Sequence, residues 1–305
     1  MAKLLHHGPE GNDVHQDTRL GQESWRSARN FGGMNEPPLS PVSPVSPLAV
    51  VTGSSRGIGR AIALRFARDG HDVVVHYRRE PEAAQDTVRA VEGFGRKAFL
   101  VKADLESPDE VSGFVETVAA LKRPVQVLVA SAAATAFKPA MDVRTHHFTR
   151  TYRVVVEALY ELAQGMAPLM PEGGSIIAIS GTGSQWVIPR YSLLGSAKAA
   201  QEALVRYLAV ELAPRGIRVN GICPGIIATD STLFYMGGDD GPLMDEARRL
   251  TPTGRAGRPE DVAGVASFLA SPDAGFLVGQ VLLVDGGLTL GMPAVPLDLP
   301  KTTQE

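Results

Sequence analysis

The chain has 305 residues, is 44% apolar and 21% charged, and carries a formal charge of −3. That is the balance of a globular protein with no basic block for nucleic acid or an anionic membrane surface. Its one cysteine, Cys223, excludes a disulfide framework and a cysteine metal cluster and fits a reducing compartment. It sits in an apolar strand-like run that marks it as a small buried hydrophobe. No apolar run approaches the roughly 18 residues of a membrane span, and the first residues lack the apolar core of a secretory signal, so a cytoplasmic protein is expected.

Residues 1–47 are polar, rich in Gly and Asn, and end in Pro41-Val-Ser-Pro-Val-Ser-Pro47. Such a stretch buries too little apolar surface to offset its ordering entropy, so a disordered tail is expected there, with a second tail over 292–305. The histidines in the first tail are read as solvated rather than metal-binding, and no metal site is expected.

From Leu48 the pattern changes. Apolar runs at 48–51, 72–77, 97–102, 125–130, 174–180, 217–222 and 280–284 predict strands. Between them, helical periodicity predicts helices at 60–69, 82–93, from the Ser107 cap to about 121, near 145–170, at 190–213 and at 259–270. This alternation predicts an α/β fold: one Rossmann-type domain over 48–291, a doubly wound parallel sheet with helices on both faces. The strand runs are apolar throughout, as a sheet covered on both sides requires.

Gly53, Gly57 and Gly59 lie between the first strand and the first helix, in Thr52-Gly-Ser-Ser-Arg-Gly-Ile-Gly59. Glycines at that junction permit a tight turn and bring a pyrophosphate against the free N–H groups of a helix N-terminus. The second strand ends His76-Tyr77-Arg78-Arg79, where an NAD-binding protein places an acid for the ribose 2′-hydroxyl. With Arg56 in the glycine loop, these guanidiniums suit a 2′-phosphate, so NADPH/NADP+ is the expected cofactor.

Further motifs are Asp104 after the third strand, Tyr191 and Lys198, Arg218-Val-Asn220, Pro224-Gly225 with Thr229, and Val284-Asp-Gly-Gly287. Together with the glycine loop they make the chain resemble the short-chain dehydrogenase/reductase superfamily over nearly all of 48–290. The resemblance implies that Tyr191 donates a proton to the reduced substrate and that Lys198 holds the nicotinamide ribose. Ser180 is the substrate-side hydroxyl by loop position, with Ser184 a competitor. The implied cofactor groove comprises Gly53, Ser55, Arg56, Gly57, Ile58, Gly59, Tyr77, Arg78, Arg79, Asp104 at the adenine, Leu105, Ser131, Ala132, Lys198, and Pro224, Gly225, Ile227 and Thr229. A lysine ammonium beside the tyrosine is expected to bring the phenol, ordinarily near pKa 10, into a useful range. A homodimer or homotetramer is implied as well, through the helices near 145–170 and 190–213.

Six residues separate Tyr191 from Lys198, where most of the superfamily has three. Along a helix this step keeps both groups within about 20° of one face but raises their axial separation from about 6 Å to about 10.5 Å. That suits an α,β-unsaturated thioester, in which hydride goes to Cβ while the more distant carbonyl oxygen needs the hydrogen bond. Six intervening residues and the Ile188-Pro-Arg-Tyr191 ending match the enoyl-thioester reductase branch. The stretches 132–138, 191–198, 205–211 and 230–235 resemble the 1-cyclohexenylcarbonyl-CoA reductase type of actinomycete secondary metabolism. Three features depart from the family. Ala130-Ser-Ala-Ala133 replaces Asn-Asn-Ala-Gly, Val155 stands where ketoreductases carry a proton-relaying asparagine, and Gly181 stands where fatty-acid enoyl reductases carry a second tyrosine.

The leading expectation is an NADPH-dependent reductase that transfers hydride to the β carbon of an α,β-unsaturated acyl thioester, carried by coenzyme A or acyl carrier protein, in secondary or fatty-acid metabolism. A ketoreductase of a ketoacyl or polyketide carbonyl is the alternative, and a cofactor-binding protein without turnover is a third class. The segment 226–250 reads as a lid, an apolar clamp on a glycine hinge.

Overall fold

The computed structural model describes residues 46–239 and 241–290; nearly all of both expected tails lies outside them. Seven strands form: β1 Leu48–Val51, β2 Asp72–Tyr77, β3 Ala98–Lys102, β4 Val125–Ala130, β5 Ser175–Ile179, β6 Arg218–Pro224 and β7 Val281–Val284. All neighbours pair in parallel, in the order β3-β2-β1-β4-β5-β6-β7. The helices are α1 Gly57–Arg68, α2 Pro81–Glu92, α3 Pro108–Ala120, α4 Thr145–Tyr152, α5 Ala158–Met166, α6 Ser192–Leu212, α7 Asp230–Met236, α8 Pro242–Leu250 and α9 Pro259–Ala270. The expected Rossmann-type parallel sheet is therefore the fold.

Side chains alternate across each strand, so β1 feeds two cores. Leu48 and Val50 join Phe114 of α3, Leu159 and Leu162 of α5, and Val205 of α6. Ala49 and Val51 join Ile62 and Phe66 of α1, Val88 of α2, and Val262 of α9. Because both faces are covered, β1 and β6 are buried along their whole length. The edge strands depart from the all-buried expectation: Leu100 of β3 and Leu283 of β7 stand 38% and 40% exposed. An edge strand lacks a neighbour on one side, so fewer helices reach over it.

Two local departures matter for the site. The expected helix near 145–170 is interrupted by a π-helical turn, Arg153–Glu157, a feature that turns a backbone carbonyl out of the regular ladder. The expected lid is largely helical, α7 and α8, with Gly237 and Gly238 between them at φ of 81° and 109°. The Arg218-Val-Asn220 motif is structural. Arg218 donates to the carbonyls of Leu269, Ala270 and Ala274 at the C-terminal end of α9, where the helix dipole favours a cation. Asn220 ties Leu277 to Gln280.

Candidate active site

In an open α/β sheet a ligand crevice opens at the carboxyl ends of the strands, where the winding reverses. Here that point lies between β1 and β4, and a cavity of about 1250 Å³ opens there. Every residue that the sequence assigned to cofactor binding or catalysis lines it, from Gly53 through Asp104 to Tyr191, Lys198 and Thr229. Ser184 and Val155 do not.

The glycine loop fits a pyrophosphate. Gly53 sits at φ +63°, and a Cβ there would come within 3.0 Å of the Ala132 Cα. A Cβ on Gly59 would meet the Gly53 carbonyl oxygen at 2.3 Å, so the loop folds back on α1 only with glycine. The N-cap residue of α1, Arg56, makes no side-chain cap, which leaves the first-turn N–H groups facing the cavity for an anion. Thr52 clamps the other wall: its hydroxyl accepts from the N–H groups of Ser131 and Ala132, at 3.0 and 3.1 Å.

His76 was legible only as part of a strand end, yet it organises this loop. Its Nδ1 accepts from the Gly53 N–H at 2.9 Å and its Nε2 bonds the Ala103 carbonyl at 3.0 Å. Burial pushes its pKa from 6.5 down to about 4, keeping the ring neutral. Between those values the unfolded chain binds a proton that the folded chain refuses. The stabilisation is therefore complete above pH 6.5 and is lost as pH falls toward 4, an effect of about 3 kcal/mol. Urea unfolding at pH 7 and pH 4.5 is expected to show this acid limb in the native chain and a shallower one in His76→Asn. His71, also lowered by burial, contributes to what remains. Equal limbs in both proteins would refute the assignment.

The arginines are more engaged than their sequence suggested. Arg78 pairs with Asp104 at 3.2 Å and with Glu106 at 2.5 Å, and Glu106 also holds Arg150 at 2.5 Å. Arg56 pairs with Glu80 at 2.9 Å. Arg79 is exposed and has no ion-pair partner among the described residues.

At the other end of the cavity Tyr191 is the N-cap of α6, so it precedes the helix that carries Lys198. Its ring rests on Gly183, where a Cβ would lie 2.5 Å from a ring carbon, and a Cβ on Gly181 would lie 3.8 Å from the hydroxyl. Phe137 stacks on it at 5.8 Å between ring centres, and Tyr235 of α7 meets it edge-on at 6.2 Å. Arg190 just before it takes a left-handed φ of 61°. Two bonds hold that bend: the Tyr235 hydroxyl donates to the Pro189 carbonyl at 2.6 Å, and Arg190 donates to the Phe137 carbonyl at 3.2 Å. Within the lid, Tyr235 and Met236 face the cavity while Phe234 is 82% exposed, so only part of the expected clamp points inward.

The expected contact between ammonium and phenol is not made. The Lys198 ammonium donates to the Ile179 carbonyl and, at 3.1 Å, to Gln201 Oε1. Gln201 in turn donates to the carbonyl of Val155 in the π-helical turn, at 3.0 Å. Burial pushes Tyr191 up to about 12 and Lys198 down to about 8, the latter opposed by the negative charge of Glu202. The Ser180 hydroxyl, expected to face substrate, donates to Glu202 at 2.5 Å, and Ser184 donates to the same oxygen at 2.6 Å. Gln201 and Glu202 were missed in the sequence. The available signal was their place three and four residues beyond Lys198, on one helix face otherwise apolar. Cys223 is buried and its thiol pushed up to about 11 by burial, as its apolar run implied.

A parallel sheet with a glycine cradle at its switch point, and a tyrosine and lysine across one cavity, define a nicotinamide-dependent oxidoreductase. The chain belongs to the short-chain dehydrogenase/reductase superfamily. Residues 53–289 match the family model described as enoyl-(acyl carrier protein) reductase. A curated relative, 1-cyclohexenylcarbonyl-CoA reductase of Streptomyces collinus, is 39% identical over 260 residues, covering 85% of this chain and 93% of that one. Among solved structures, a short-chain dehydrogenase from Burkholderia cenocepacia in complex with NADP is similar, with a TM-score of 0.74 and 34% identity over 79% of this chain and 97% of that one. The angucycline C-6 ketoreductase LanV with bound NADP also has a TM-score of 0.74, with 32% identity over 80% of this chain and 96% of that one. No helix among the described residues is long and apolar enough to cross a membrane.

Proposed function

We propose that the protein is an NADPH-dependent reductase of α,β-unsaturated acyl thioesters, borne by coenzyme A or an acyl carrier protein. The observation that carries this reading is the closed chain Lys198–Gln201–Val155 carbonyl. Reducing a ketone requires a full proton for the new hydroxyl, resupplied to the tyrosine from behind. An amide does not pass protons on, and Val155 offers only a backbone carbonyl there. Saturating a conjugated C=C bond asks less of the site: one hydrogen bond at the carbonyl oxygen while negative charge collects there, with the last proton taken by the α carbon from solvent. Tyr191, held neutral with a pKa of about 12 and sheltered by Phe137 and Tyr235, is such a donor.

A nicotinamide cofactor would be held by the residues at the carboxyl edge of the sheet and would supply the hydride that reduces the β carbon. Gly53, Gly57 and Gly59 would hold its pyrophosphate, Lys198 its ribose, and Asp104 its adenine. Arg56 and Arg79 are the groups we assign to a 2′-phosphate: the Arg78 guanidinium serves two carboxylates, Arg56 serves one, and Arg79 serves none among the described residues. Arg56→Ala with Arg79→Ala is expected to weaken NADPH binding by about 10²-fold, the worth of two charge-assisted bonds, while NADH binding stays within about threefold. Titration of cofactor fluorescence checks this, and equal losses for both cofactors would remove these arginines from the 2′ site.

The likeness to an angucycline ketoreductase supports a second reading, reduction of a ketoacyl or polyketide carbonyl. NADPH oxidation with crotonyl-CoA against acetoacetyl-CoA separates the two. Turnover of the first is expected to dominate, and turnover of acetoacetyl-CoA alone would overturn the proposal.

A further inference from the structure

Glu202 is 8% exposed, one turn beyond Lys198 on α6, and one of its carboxylate oxygens accepts from both Ser180 and Ser184. A buried carboxylate needs donors, so this node is firmly held. A serine hydroxyl has a single proton. While Ser180 spends it on Glu202, it turns only lone pairs toward the cavity that it lines. The loop bearing both serines also carries Gly183, the seat of the Tyr191 ring.

We propose that Glu202 is a positioning residue: it keeps the Ser180 hydroxyl turned inward, leaves Tyr191 as the donor of that pair, and so biases the site toward enoyl and against ketone reduction. Only the direction of the bias rests on the enoyl-reductase reading above. In ketone reduction the full charge develops on one oxygen, where a second donor helps most. In conjugate reduction the charge is shared between the carbonyl oxygen and the α carbon, and one donor suffices. Freeing Ser180 therefore helps the ketone more.

The test uses the full chain with NADPH at pH 6.5, where Lys198, at about 8, stays charged. Glu202→Met removes the acceptor at similar volume, whereas Glu202→Gln keeps an acceptor oxygen. The ratio of kcat/KM for acetoacetyl-CoA to that for crotonyl-CoA is expected to rise about tenfold in Glu202→Met, the worth of one hydrogen bond. It is expected to stay within about twofold of the native ratio in Glu202→Gln, and to fall back in Glu202→Met/Ser180→Ala. An unchanged ratio in Glu202→Met, or a rise that survives loss of Ser180, overturns the proposal. If Glu202→Met does not fold, Ser180→Ala alone decides. With Glu202 in place the change should affect both substrates by the same factor, and a selective loss of acetoacetyl-CoA reduction beyond about tenfold refutes the inward-turned hydroxyl. A native chain that turns over acetoacetyl-CoA alone defeats the enoyl reading but not this one. The coupling is then read as non-additivity of Glu202→Met and Ser180→Ala on the acetoacetyl-CoA rate, and additive losses overturn it.

Discussion

Tyr191→Phe is expected to lower kcat for an enoyl thioester by about 10²–10³ while leaving NADPH affinity nearly unchanged. The phenol makes its hydrogen bond chiefly in the transition state, when negative charge has moved onto the carbonyl oxygen, so its loss falls on kcat. The ring is held by Gly183, Phe137 and Tyr235 rather than by its hydroxyl, so phenylalanine can keep the same packing. Steady-state kinetics with crotonyl-CoA, beside a cofactor titration, check both halves. A loss of less than about fivefold would show that another group donates to the substrate.

Gly59→Ala is expected to weaken NADPH binding by about 10²-fold or more. The new methyl carbon would lie 2.3 Å from the Gly53 carbonyl oxygen and 3.2 Å from the Ser54 Cα, both backbone atoms with no flexible end to move aside. Relief requires the loop to lift by about 1 Å from the start of α1, and misplacement on that scale costs about 10² where several hydrogen bonds converge. Cofactor fluorescence titration and a melting curve on the same protein separate lost binding from lost folding. Native affinity in a folded Gly59→Ala protein would mean that the loop is not the phosphate cradle.

The sheet, its order of elements and the location of the cofactor groove were legible because each rests on a local pattern. Apolar runs of strand length, helical periodicity after Ser107 and Pro259, and glycines between β1 and α1 are all read within a dozen residues. The reading failed where periodicity is weak. The lid at 226–250 reads as a clamp on a hinge because Gly237 and Gly238 interrupt it, and its helices α7 and α8 are not legible on either side. The helix near 145–170 shows no break in sequence, since a π-helical turn leaves the apolar pattern Val154-Val155 intact.

The chain by itself marked many of the chemical groups that reach the cavity: Tyr191, Lys198, Ser180, Arg56, Arg78, Arg79 and Asp104. Only the tertiary structure decided what each of those groups is bonded to. Arg78 meets Glu106 across 28 residues, Ser180 meets Glu202 across 22, and Gln201 meets the Val155 carbonyl across 46. Such pairings arise because folding removes polar groups from water, and each buried donor or acceptor must then find a partner among the segments packed nearest to it, whatever their distance along the chain.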